Sequence, residues 1–198
     1  MARRTFVFDP PERFIAGTIG QPGSRTFFLQ AREGARIVSV SLEKVQVAAL
    51  AERLGRLLFE LDQRGVVALE AEPVPDEVGT LDEPLAEAFR AGTLTLGWDG
   101  GRERILIEAR AQTDEDEGEP EGEAGAQPET EAIDAFVDDD DPDGPDVLRV
   151  HMTAGAARTF AERALRVVRS GRPPCPLCGN PLDPQGHICP RRNGQYVH

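Results

Sequence analysis

The sequence predicts an α+β fold: antiparallel sheet from two βββα-like units, each with one packed helix, and a small zinc knuckle or ribbon at the C-terminus. Three observations carry this. Short alternating runs of apolar and polar residues, punctuated by glycine and proline, recur in both halves and have the period of strands. Two longer runs, Val47–Leu61 and the segment from Ala154 onward, have helical periodicity. All three cysteines fall between Cys175 and Cys189.

Thr5–Phe8 is a short strand ended by Asp9-Pro10-Pro11, and Arg13–Ile19 is a second, closed by Gly20-Gln21-Pro22-Gly23. Arg25–Ala31 and Ala35–Ser41 are extended runs joined by Arg32-Glu33-Gly34, a hairpin signal. Ser41 is then placed to cap a helix whose apolar stripe is Val47, Leu50, Ala51, Leu54, Leu57, Leu58 and Leu61, with Gly65 ending it. Val66–Ala71 is expected as a strand, Pro73–Pro84 as a loop, and Leu85–Arg90 as a helical turn.

The second half repeats the theme. Thr93–Trp98 alternates, Asp99-Gly100-Gly101 marks a tight turn, and Glu103–Ala111 returns. Val147–Met152 is the last strand, and Thr153 caps a helix from Ala154 to about Ser170, stopped by Gly171 and Pro173-Pro174. Both helices carry Ala-Glu-Arg, at Ala51–Arg53 and Ala161–Arg163, so the halves are expected to be copies of one unit. Residues 1–172 form the α+β domain, and residues 173–198 the zinc-binding module.

Charge divides the chain differently. The formal net charge is −13, but the stretch from Thr113 to Asp146 alone holds sixteen Asp and Glu and no Lys or Arg. The remainder has nineteen acidic residues against twenty-two basic, and from Val147 onward eight arginines face only Glu162 and Asp183. With eight Gly and Pro among its residues, the acidic stretch cannot bury enough surface to offset its ordering entropy. Residues 113–146 are therefore expected to be a disordered insertion between two paired strands. The plainest reading is a solvated loop. The sharper one has Phe136 docking in a pocket while the acids cover an arginine face.

The cysteines define the best motif. In Cys175-Pro176-Leu177-Cys178-Gly179, two thiolates separated by two residues can reach one ion. Residues i and i+2 of an extended segment share a face, so His187 and Cys189 can close the tetrahedron. The expected zinc ligands are Cys175, Cys178, Cys189 and His187, with His198 as the alternative fourth. An odd, clustered cysteine count without a signal peptide favours a metal over disulfides.

Function classes narrow accordingly. No stretch approaches the ~18 apolar residues of a membrane span. The apolar run after Met1-Ala2-Arg3-Arg4 is too short for a signal peptide. A soluble cytoplasmic protein without a membrane partner is expected. No nucleophile elbow, phosphate loop, dinucleotide fingerprint or zincin motif occurs, so no catalytic or cofactor-binding residue is assigned. His151 is expected as a half-buried structural histidine. Arg158, Arg163, Arg166, Arg169, Arg172, Arg191 and Arg192 leave two alternatives to an accessory role: binding of a phosphorylated or other anionic small molecule, and association with nucleic acid.

Three segments carry a family resemblance: Thr5-Phe6-Val7-Phe8-Asp9-Pro10-Pro11-Glu12-Arg13-Phe14, Gly23-Ser24-Arg25-Thr26-Phe27-Phe28-Leu29-Gln30, and Cys175–Gly179 through Gly186-His187-Ile188-Cys189-Pro190-Arg191 with Asn193-Gly194. The chain resembles an uncharacterised actinobacterial domain-of-unknown-function family of about this length, over nearly its whole extent. The resemblance implies genes encoded beside a phosphomutase-like protein and a phosphatidylinositol 3/4-kinase-like protein, hence candidate protein partners. It implies no activity.

Overall fold

The computed structural model describes residues 3–21, 23–68, 80–113, 142–170, 175 and 177–178. In chain order the elements are β1 (Thr5–Phe8), β2 (Arg13–Ile19), β3 (Thr26–Glu33), β4 (Arg36–Leu42), α1 (Lys44–Gln63), β5 (Glu87–Asp99), β6 (Arg104–Ala111), β7 (Val147–Met152) and α2 (Ala154–Arg169). The class is α+β. Most of the expected acidic insertion and most of the zinc module lie outside the described residues.

The expected antiparallel sheets are instead one mixed sheet of seven strands, ordered β1-β7-β6-β5-β4-β3-β2. The meander β2-β3-β4 lies beside the meander β5-β6-β7, and the join between β4 and β5 is parallel. The reason is α1, which separates β4 from β5 in the chain and lets the return strand enter in the same direction. A second parallel pair comes from β1, which extends the sheet beside β7.

This order obliges the sheet to coil. β1 and β2 are its two edges, yet only Asp9–Glu12 separates them in sequence. Flat strands spaced ~4.8 Å apart would put the edges about 29 Å from each other. Five residue steps reach at most about 18 Å. Twist of roughly 20–25° per strand, accumulated across the sheet, resolves the conflict. The two ends of the sheet approach each other: Arg36 of β4 donates to Val7 O of β1 (2.9 Å), and its guanidinium lies 4.5 Å from the Phe8 ring centroid.

Both helices fill the inner face. Val47, Leu50, Ala51, Leu54, Leu58 and Leu61 of α1 and Ala157, Phe160, Ala161, Ala164 and Val167 of α2 join one core with Leu29, Val40, Ile105, Ile107, Leu148 and Val150. α2 reaches across to β2, where Phe160 stacks on Phe14 at 4.6 Å. Thr153 caps α2 as expected, its Oγ1 accepting from Ala156 N–H at 3.2 Å.

Gly65, with φ of 68°, completes the C-terminus of α1: its N–H donates to Asp62 O, and Val66 N–H donates to Leu61 O. Ser41, however, does not cap α1. Its backbone belongs to β4 and its hydroxyl donates to Glu87 at 2.9 Å, so the cap is Glu43, whose N–H is held by the Gln46 side chain.

Two further expectations change. Leu85–Arg90 is not a helical turn, because β5 begins at Glu87 and runs thirteen residues. Its first part pairs with β4 and its last part with β6, with a register shift between Ala91 and Leu94. The polar first part becomes a strand because β4 supplies its ladder. Val66–Ala68 is not strand, Val66 and Val67 forming a bend after α1, and the rest of that expected strand lies outside the described residues.

On the outer face, Leu81 and Asp82 lie over β2, β3 and β4. Gln30 Nε2 donates to Asp82 O and Ser39 Oγ (both 3.0 Å), while Asp82 N–H donates to Gln30 Oε1 (2.7 Å). Leu81 fills the space above Gly17, where an added Cβ would sit 2.7 Å from it.

Candidate functional site

The cysteine motif follows α2 in the chain. Ser170 O accepts from Arg25 at the β2–β3 turn (3.0 Å), which fixes the exit of the chain beside β2. Cys175 is then buried, Leu177 and Cys178 lie in a turn, and Leu177 N–H donates to Cys175 Sγ at 3.4 Å. An amide aimed at sulfur stabilises thiolate character, the form that ligates a metal. The donor set is soft and suits zinc. His187 and Cys189, and the alternative His198, lie outside the described residues. Among the described residues no group of three or more His, Cys, Asp or Glu is gathered for a metal.

The α2 arginines do not form one bare face. Arg158 pairs with Glu162 at 3.0 Å, and Arg163 and Arg166 are half-buried. Arg169 is exposed, and Arg172, Arg191 and Arg192 lie outside the described residues.

His151 is more buried than expected. Its Nε2 lies 3.4 Å from Arg102, and its Nδ1 is buried with no hydrogen-bond partner among the described residues. Arg102 also pairs with Asp9 (3.0 Å) and Asp99 (3.6 Å). Burial lowers the His151 pKa from its ordinary value. Asp9 and Asp99 oppose that shift, while Arg102 and Arg149 reinforce it.

Beside His151, on the same outer face, is a cluster that sequence reasoning missed. Glu108 is buried, and its two carboxylate oxygens accept separately from Arg110 Nε and Arg149 Nε, each at 2.6 Å. A signal existed: Glu108 interrupts the apolar run Ile105–Ala109, and Arg149 interrupts Val147–Met152. A charge within such a run demands a partner. The register that brings the two together, Glu108 opposite Arg149, was not readable.

A cleft of about 290 Å³ opens at the start of α2, lined by Pro10, Pro11, Glu12, Phe14, Met152, Thr153 and Ala156. Neither His151 nor any arginine lines it. No described helix is long and apolar enough to cross a membrane.

No curated protein and no solved structure matches the chain. A family model described as "Protein of unknown function (DUF3090)" matches residues 6–189. That span runs from β1 through both meanders to Cys189, the last cysteine of the knuckle motif. The chain belongs to this family of proteins of unknown function.

Proposed function

We propose that the chain is a zinc-stabilised cytoplasmic accessory protein that binds a protein partner and has no catalysis of its own. The observation that carries this is the Leu177 amide aimed at Cys175 Sγ, with Cys178 in the same turn. Cys175, Cys178, His187 and Cys189 would hold the ion. Four protein ligands make a closed, structural site, which supplies folding energy and no activated water. The side-by-side meanders, each followed by one helix, support reading the βββα-like units as copies, with the module as an appendage.

The test is metal analysis of the purified protein. About one zinc per chain is expected, lost in Cys175→Ala and in Cys189→Ala, with a lower melting temperature on chelation. Wild type that is metal-free and equally stable overturns the reading. Affinity purification from the host then separates the partner classes. A protein partner is expected, the phosphomutase-like and kinase-like neighbours implied by the resemblance being the first to look for. Recovery of nucleic acid, or a thermal shift with phosphometabolites, would favour the alternatives built on the arginines.

A further inference from the structure

Helix α1 carries two ordered stripes on opposite sides. Val47, Leu50, Ala51, Leu54, Leu58 and Leu61 are buried against the core. On the far side Val45, Ala49, Glu52, Arg56, Phe59 and Gln63 are all exposed. Val45 is 73% exposed and Phe59 62%, more than any other large hydrophobic among the described residues. The steps along this outer stripe are four, three, four, three and four residues. That is the a/d spacing which keeps one seam of a helix turned toward a second helix. The seam runs about 27 Å along the helix.

The outer stripe is also complementary to itself. Consider two copies of α1 crossing antiparallel about a twofold axis level with Leu54. Glu52 of one copy then lies opposite Arg56 of the other, and symmetry repeats the pair. One layer out, small Ala49 lies beneath large Phe59, and in the outermost layer Val45 lies on the methylenes of Gln63. Charge and size therefore agree on a single axis. A parallel pair would instead set Glu52 on Glu52 and Arg56 on Arg56. Gly55 lies beside the crossing, and a Cβ added there would meet no other described part of the chain within 4 Å. The fold itself does not ask for glycine at this position, whereas close approach of a second helix favours it.

We propose that the outer face of α1 is the interface of a twofold-symmetric dimer, its occupant being α1 of a second copy of this chain. Such self-complementary contacts are the commonest arrangement in homo-oligomers. One helix pair covers less than the ~800 Å² per partner of a standard interface, so the dimer is weak and concentration-dependent. Nothing in this face depends on the zinc reading.

Sedimentation equilibrium of the full chain over a concentration series tests this. Wild type is expected to show a monomer–dimer equilibrium. Glu52→Arg alone and Arg56→Glu alone should each weaken it about tenfold, because like charges then face each other twice across the axis. Glu52→Arg also reduces the net charge of −13, which by itself would favour association, so its loss of dimer is specific to the seam. An equimolar mixture of the two variants should associate again, since one presents two positive charges at the crossing and the other two negative ones. Phe59→Ala should weaken the wild-type dimer as well. All three positions are exposed, and circular dichroism matching wild type checks that the monomers stay folded. A dimer indifferent to Glu52→Arg, or a mixture that does not associate, overturns the proposal. So does wild type that remains monomeric up to its solubility limit, which would give the face to a different protein.

Discussion

Gln30 and Asp82 exchange two hydrogen bonds between a side chain and a backbone: Asp82 N–H donates to Gln30 Oε1 at 2.7 Å, and Gln30 Nε2 donates to Asp82 O at 3.0 Å. The amide thus imitates a strand partner, and a loop is pinned to a sheet face without adding a strand. Arg13 reinforces it through Asp82 at 2.7 Å. Gln30→Leu keeps the bulk but leaves the Asp82 N–H and C=O without their partner. Each such buried group costs about 1–3 kcal/mol, so a loss of about 2–4 kcal/mol is expected in urea unfolding. A midpoint unchanged from wild type would show that the loop repacks freely.

Glu108→Gln is expected to destabilise by about 3 kcal/mol, the lower end of the cost of removing one partner from a buried ion pair. The lower end applies because Arg110 is 29% exposed and keeps access to water. Arg149, at 11%, bears most of the loss. Removing all three charges with apolar residues of similar size should recover much of it. Chemical denaturation of the single and triple variants checks the difference.

His151 makes stability depend on pH. Its pKa is lowered in the folded protein, first by burial, with Asp9 and Asp99 opposing and Arg102 and Arg149 reinforcing. The unfolded chain therefore binds the proton more readily. Stability is full above about pH 6.5, the ordinary histidine value, and falls as pH drops from there toward the lowered folded value. His151→Gln should flatten this slope between pH 7.5 and 5 relative to wild type, as read by urea midpoints. Equal slopes in the two proteins would place the titration on other groups.

Much of the fold was legible from local pattern. β1, β2, β7 and both helices fall where alternation and the 3.6-residue period put them, and Thr153 and Gly65 act as the cap and the stop their chemistry suggests. Ser41 misled because its hydroxyl competes between a helix end and a cross-strand carboxylate, and Glu87, forty-six residues away, takes it. β5 was half seen because Glu87–Arg90 has no apolar alternation of its own and is made a strand by β4. Of the candidate site, the Cys175–Cys178 pair was plain from spacing, whereas the Glu108 cluster needed the β6–β7 register.

The sequence by itself determined the α+β class, the inward face of α1, the charge segregation into residues 113–146 and the spacing of the cysteine motif. These follow from residue type and short-range period, which act within a few positions. Only the tertiary structure decided that the meanders join in parallel, that β1 closes beside β7, and that the sheet coils until Arg36 reaches Val7. Those outcomes depend on pairing between residues far apart in sequence. There the free energy lies in shared hydrogen-bond ladders and in burial between elements, and no single segment carries it.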